Sequence, residues 1–206
     1  MTLLTDSVYY PAFLSSEQAD LVFKELNLDY LYLPREELVF RIFGKETPLP
    51  RDKCFYGEVS EDGDYPVYRY DRDLTKFPVV RSWEEIPLLK EVAEQIRDYT
   101  SYPVNHCVVN RYQNGSDHIS YHQDKIRDFA EGAPVFTVSL GATRRFLLQS
   151  LQKNAGTGLD LEHGSLFELG WKTNQAYKHA IAKTAKAVGT RISLTFRVIQ
   201  TLKSHL

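Results

Sequence analysis

The chain has 206 residues, 43% of them hydrophobic and 25% charged, with a formal net charge of -2; this suits one domain with a substantial core and supplies no general affinity for nucleic acid or anionic membrane, though a local basic groove stays open. Two cysteines, Cys54 and Cys107, make no disulfide framework and suit a reducing compartment. No apolar run has the length of a membrane span, and MTLLTDSVYYP lacks the pattern of a secretory signal, so an intracellular protein is expected.

In chain order, Ser15 or Ser16 is placed to cap a short helix, SSEQADLVFKELNL, in which Ala19, Val22, Phe23 and Leu26 recur at helical spacing. Residues 40–72 have another texture. Short apolar or aromatic runs are broken there by Gly44, Pro48, Pro50, Gly57, Gly63 and Pro66, which predicts hairpins and loops rather than a second core. Ser82-Trp83-Glu84-Glu85 reads as a capping box that opens a second helix, with Leu89, Val92, Ile96 and Tyr99 on its apolar face. After Tyr102 the pattern is almost wholly β. Runs at 104–112, 135–140, 145–149, 165–169 and 191–199 are rich in β-branched and aromatic residues. Turn-formers such as Gln113-Asn114-Gly115-Ser116 and Asn154-Ala155-Gly156-Thr157-Gly158 separate several of them. Many short strands so punctuated predict a sandwich or jelly roll rather than a βαβ fold. The chain ends on Ser204-His205-Leu206, one residue away from the peroxisomal Ser-Lys-Leu address and equally readable as a plain tail.

The stretch NHCVVNRYQNGSDHISYHQD, from Asn105 to Asp124, ends on His122-Gln123-Asp124. On a strand that spacing puts an imidazole and a carboxylate on one face, where both can bind one metal; taken alone it equally describes a surface His and Asp at a turn. A distant third ligand would complete the 2-His-1-carboxylate triad of non-haem Fe(II) oxygenases. Among the other histidines, His106 and His118 lie close before the pair, His205 is in the tail, and His163 precedes Gly164-Ser165 at a turn. His179, in YKHAIAK, remains. Arg191 and Arg197 in RISLTFR fall on one face of a predicted strand. Turned inward they need anions, and a dicarboxylate in a bidentate arginine clamp would meet that need; turned outward they are a solvated strand face.

Taken together, these motifs resemble the AlkB family of Fe(II)- and 2-oxoglutarate-dependent dioxygenases over roughly residues 40–199. NRYQNGSDHISYHQD is similar to the family's metal-binding strand and preceding turn, and APVFTVSLGATRRFLL to its next strand pair. LEHGSLFELGWKTNQAYKHAIAK ends on the distal histidine, and GTRISLTFR matches the closing strand. The resemblance implies one domain over 1–206, mainly β (α+β). Its catalytic core is a double-stranded β-helix (jelly roll) at 104–199, with N-terminal helices and a hairpin nucleotide-recognition lid at 40–72. It implies Fe(II) bound by His122, Asp124 and His179. Arg191 would form a salt bridge with the distal carboxylate of 2-oxoglutarate, and Asn110 and Tyr112 would hydrogen-bond that cosubstrate. Arg197 would sit nearer the metal and the oxo-acid end. O2 is the co-reactant, and the implied reaction oxidises a methyl group on nitrogen, releasing formaldehyde, succinate and CO2.

The family spans repair of alkylated DNA and RNA, demethylation of regulatory RNA marks, and a few members acting on proteins or lipids; the fold does not choose among them. RIFGKETPLPR resembles the segment that presents an apolar finger to a base stack. On that match Ile42 and Phe43 form the wedge, with Arg51 near phosphate or the opposite strand; Phe43 as a hairpin core residue is the alternative. Tyr68 and Tyr70 alternate in VYRYD, where they would stack on a flipped base or pack internally. Lys45, Lys53, Arg69 and Arg72 would make a local basic surface. One position departs from the pattern. Repair members commonly carry an acid two residues after the metal aspartate, suited to cationic bases such as 1-methyladenine or 3-methylcytosine. This chain has Ile126 there, with Asp128 as the substitute. The expectation is a demethylase of N-alkylated bases in DNA or RNA, monomeric, without a membrane partner, in nucleus or cytoplasm. The alternatives are a demethylase of an RNA mark such as N6-methyladenine, or of protein, and a jelly roll that binds nucleic acid without turnover.

Overall fold

The computed structural model describes residues 6–36, 38–42, 45–69, 80–152 and 155–203, with the backbone alone at 40–42, 45 and 46. After β1 (Val8–Tyr10) comes α1 (Ser16–Leu26), whose first turn is capped by Ser15 Oγ accepting from the Gln18 N–H. A hairpin follows, β2 (Val39–Ile42) with β3 (Lys45–Pro48), then β4 (Asp52–Gly57), β5 (Tyr65–Pro66) and β6 (Arg81–Ser82). Ser82 caps only a 3-10 turn, Trp83–Glu85; the second helix, α2 (Pro87–Thr100), begins at Pro87, whose fixed φ and missing N–H suit a first helical position. Leu89, Val92 and Ile96 are buried as the periodicity predicts. Tyr99 is not: it is 61% exposed, its ring set edge-on to Tyr10 and Phe13.

The remaining strands are β7 (His106–Tyr112), β8 (Ile119–His122), β9 (Val135–Gly141), β10 (Arg144–Ser150), β11 (Gly156–Leu161), β12 (Ser165–Leu169), β13 (Tyr177–Ile181), β14 (Arg191–Arg197) and β15 (Leu202–Lys203), with α3 (Trp171–Ala176) before β13. Two sheets carry the fold. The major one has the order β1-β12-β9-β14-β7-β4-β6 and the minor one β11-β10-β13-β8. Three expectations change. β4 lies inside the stretch expected to be hairpins, yet all six of its residues are buried and it pairs along β7, because Cys54 and Tyr56 have the apolar helices to pack against. β11 begins at Gly156, within the predicted turn. β14 stops at Arg197 rather than at 199.

Alternation along the central strands divides the interior in two. Ile192, Leu194 and Phe196 of β14 pack with Cys107 and Val109 of β7 beneath α1 and α2. On the other face, Val108, Tyr112, Val135, Phe167 and Leu169 of the major sheet meet Phe146, Leu148, Leu161 and Ile181 of the minor sheet. That second layer is the inside of a jelly-roll sandwich. One end of it is polar.

Candidate active site

β13 places His179 directly opposite His122, the last residue of β8. Asp124 lies two residues on, just beyond the strand end, with its carboxylate alongside. The ligand atoms of His122, Asp124 and His179 all lie within 4.8 Å of one another. His122 Nε2 is 3.8 Å from Asp124 Oδ1, and the two imidazole centroids are 4.2 Å apart. His122 Nδ1 is 2.9 Å from the Ser120 carbonyl, to which it donates, so the lone pair is on Nε2, facing the cluster. Burial and the neighbouring His122 push the His179 imidazole down to about 3, and burial lowers His122 too, so both rings are neutral ligands. Burial works to raise Asp124, but Arg197 and the two histidines hold it at about 2.

The cluster is braced from two sides. The Asp124 N–H donates to Asn174 Oδ1, and Asn174 Nδ2 donates back to the Asp124 carbonyl, both at 3.0 Å. Arg197 Nη2 donates to Asp124 Oδ2 at 2.8 Å, with its guanidinium 4.5 Å from the centroid of the Tyr68 ring. Two neutral imidazoles and one ionised carboxylate form the donor set of a facial Fe(II) site. The buried His179 Nδ1 has no hydrogen-bond partner among the described residues. The residues fit the metal.

Arg191 is 1% exposed on the same inner face as Arg197. Its Nη2 donates to Ser139 Oγ at 2.8 Å, its Cζ lies 5.4 Å from the Tyr112 ring centroid, and its Nε and Nη1 are buried with no hydrogen-bond partner among the described residues. Burial pushes this guanidinium down to about 10. A buried cation with two unmet donors is costly, at about 1–3 kcal/mol per group, until a bidentate anion arrives. A carboxylate of 2-oxoglutarate fits that need. Asn110 lies on the next inward row, where its Oδ1 accepts from Arg51 Nε at 3.0 Å, leaving its amide N–H groups for a cosubstrate.

Several substrate-side expectations change. Arg51, the residue before β4, is 7% exposed and turned inward onto Asn110 and the His118 carbonyl rather than outward toward phosphate. Lys53, in β4, is 8% exposed and contributes no basic surface. Tyr68 is 4% exposed, packed on Arg197 and Phe129, with its hydroxyl accepting from the Lys125 N–H, so it offers no open stacking face. Asp128 is 1% exposed and fully engaged by the Arg69 N–H, the Arg69 guanidinium and Thr201 Oγ1. It is a tie between loops, not a substitute acid. Ile126 packs against the inner apolar layer. Ile42 pairs with Lys45 at the end of the β2–β3 ladder; Phe43, Tyr70, Arg72 and the tail 204–206 lie outside the described residues. Sequence reasoning missed Asn174, hidden in a six-residue helix with no periodic signal. It also missed Arg144, although Arg144 shares the alternation of Phe146 and Leu148.

The family model described as the 2OG-Fe(II) oxygenase superfamily matches residues 6–197. The chain is 30% identical over 198 residues to the DNA oxidative demethylase ALKBH2 of Homo sapiens, covering 92% of this chain and 72% of that one. It is 25% identical over 203 residues to the alpha-ketoglutarate-dependent dioxygenase alkB homolog 3 of Mus musculus, covering 92% and 65%. Among solved structures, the one titled "The structure of OsALKBH1" superposes with a TM-score of 0.59 at 19% identity, over 96% of this chain and all of that one. A Pseudomonas putida prolyl-4-hydroxylase superposes with a TM-score of 0.52 at 13% identity, over 94% of each chain. At those identities the two superpositions show the shared jelly-roll fold alone. Through the family match and the ALKBH2 relatives, with the His-Asp-His cluster and the buried arginine in place, the chain belongs to the AlkB family of the 2OG-Fe(II) oxygenase superfamily, dioxygenases that use Fe(II), 2-oxoglutarate and O2.

Proposed function

We propose that this protein removes alkyl groups from nitrogen atoms of bases in DNA or RNA, inside the cell, as a monomer. The reading is carried by the extended similarity to DNA oxidative demethylases, together with a metal cluster and an unneutralised arginine on one inner face. With Fe(II), 2-oxoglutarate and O2 bound, the centre supplies the oxidising power: one oxygen atom enters succinate as CO2 leaves, and the other enters the N-methyl C–H bond. The resulting N-hydroxymethyl group breaks down to formaldehyde and the unmodified base. The protein's share is placement. His122, Asp124 and His179 hold the metal, Arg197 keeps Asp124 ionised and oriented, and Arg191, Tyr112 and Asn110 fix the cosubstrate. Ile42, at the end of β2, and Phe43 after it are the apolar residues assigned to the base stack. A binding module without turnover has no use for a buried, unneutralised Arg191.

One observation favours a narrower reading. With Ile126 at the family's acidic position and Asp128 locked by Arg69 and Thr201, neither of these two positions offers a carboxylate to a cationic base. That supports a neutral alkylated base, N6-methyladenine in RNA among them. The test is mass spectrometry of single-stranded and duplex oligonucleotides carrying 1-methyladenine, 3-methylcytosine or N6-methyladenine, incubated with Fe(II), 2-oxoglutarate and air. Loss of methyl mass that depends on 2-oxoglutarate is expected, with N6-methyladenine preferred on the narrower reading. Succinate formation with no loss from any oligonucleotide would reject nucleic acid as the substrate.

A further inference from the structure

Arg144 faces the sandwich interior from the minor sheet, opposite Arg191 on the major sheet. It is 4% exposed, and its hydrogen bonds go to main-chain carbonyls: Nη1 donates to Asn114 O at 3.2 Å, and Nη2 to Asp117 O at 3.0 Å and Ala182 O at 2.6 Å. None of these goes to a carboxylate. Its Cζ lies 5.9 Å from the centroid of the Tyr112 ring, the ring that also has Arg191 Cζ at 5.4 Å. Two buried guanidinium groups from different sheets therefore share one phenol, and the positive charge of Arg144 is felt at Arg191. The Asp117 carboxylate makes no hydrogen bond to Arg144, since it is bound by Arg35 and by the Gln113 N–H, although its charge still acts on that guanidinium.

The loops that Arg144 ties close the Arg191 end of the interior. Gly115 sits so tightly against the Thr184 carbonyl that a side chain would collide with it, and the Thr184 N–H donates to the Gly115 carbonyl at 2.9 Å. Arg144 bonds both loops at once, through Asn114 and Asp117 on one and Ala182 on the other. It thus places a fixed charge behind Tyr112 with no freedom to swing away.

We propose that Arg144 is a positioning residue for the distal carboxylate of the cosubstrate, acting beside Arg191 and through Tyr112, and that it sets the preference for a dicarboxylic over a monocarboxylic 2-oxo acid. This rests on the cosubstrate site described above. A lone carboxylate facing two buried guanidinium charges in a low-dielectric interior gains from both, whereas the uncharged end of an isosteric acid gains from neither.

The test is calorimetric titration of the Mn(II)-loaded protein under nitrogen with 2-oxoglutarate and with 2-oxopentanoate, which replaces the distal carboxylate by a methyl group. Wild-type protein is expected to prefer 2-oxoglutarate strongly. In Arg144→Gln, 2-oxoglutarate is expected to weaken about tenfold, while 2-oxopentanoate stays within about twofold of wild type. Arg144→Lys, which keeps the charge, is expected to retain most of the preference. Equal weakening of both acids in Arg144→Gln would mean that Arg144 only holds the loops, and unchanged 2-oxoglutarate binding would remove it from the site; either outcome overturns the proposal. Should Arg144→Gln fail to fold, loss of the preference in Arg144→Lys overturns it. A wild-type protein that does not discriminate the two acids would instead reject the cosubstrate site itself.

Discussion

Arg111 and Arg191 are buried on neighbouring strands one step out of register, since Arg191 pairs with Tyr112 and Ile192 with Arg111. They face opposite sides of the same sheet. Arg111, on the helix-covered side, meets Asp52 at 2.8 Å and Asp29 at 2.7 Å, with Tyr32 stacked at 4.2 Å. Arg191, on the inner side, meets the Ser139 hydroxyl and the Tyr112 ring, and no carboxylate among the described residues pairs with it. The comparison separates two uses of one side chain. An arginine supplied with its carboxylates is part of the structure, and one denied them is open to a ligand's, the role proposed for Arg191.

That contrast breaks or sharpens under substitution. The largest effect is expected at the metal, where Asp124→Ala should weaken Co(II) or Fe(II) binding by more than about 100-fold, read by titration of the visible band; binding within about tenfold of wild type would remove Asp124 as a ligand. Arg111→Met leaves Asp52 short of a partner and should cost about 3–5 kcal/mol in urea unfolding, with 2-oxoglutarate affinity of the folded protein unchanged. Arg191→Met should do the reverse: about 100-fold loss of 2-oxoglutarate affinity, stability equal or higher by about 1 kcal/mol, and metal affinity kept. If both methionine variants lose stability alike, the two arginines do the same job and the contrast fails. Asn174→Ala, which removes only the brace on the Asp124 main chain, should weaken the metal about tenfold.

The smallest effect is a matter of pH. Burial works to raise the Asp52 carboxyl, but hydrogen bonds from Arg35, Gln113 and Arg111 win and hold it below its ordinary value. A carboxyl lowered in the folded state contributes stability that is present above its ordinary pKa and lost as pH falls through the folded one, here below about pH 4. Asp52→Asn should therefore flatten the acid side of the stability profile measured by thermal melts. An unchanged acid slope would place the sensitivity in other groups such as Asp128, whose carboxyl Arg69 and Thr201 likewise hold low against burial.

Much of this is legible in the chain because alternation and spacing are local. RISLTFR separates its inward and outward sets by parity alone, and the turn after His163 is announced by Gly164, which adopts a φ of 77° that favours glycine. What is not legible depends on contacts between distant segments. Nothing local says that Arg51 turns inward, since that follows from β4 joining β7; nothing local says that Asp128 is spent on Arg69, 59 residues away. Tyr99 is exposed where helical period placed it on the apolar face, and Tyr68 takes the internal one of its two readings, because period describes the backbone and not the neighbours that arrive later.

The unneutralised Arg191 has one more consequence, which concerns lifetime. A protein stabilised by a ligand of its folded state gains about 2.7 kcal/mol when that ligand stands at about 100 times its dissociation constant. On the proposed role of Arg191 the cosubstrate is also a folding partner, and the fraction of chains open to proteolysis is expected to fall as 2-oxo acid rises and to climb again when it is exhausted. The same orphaned donors proposed to receive the cosubstrate would then make the persistence of the fold answer to its supply.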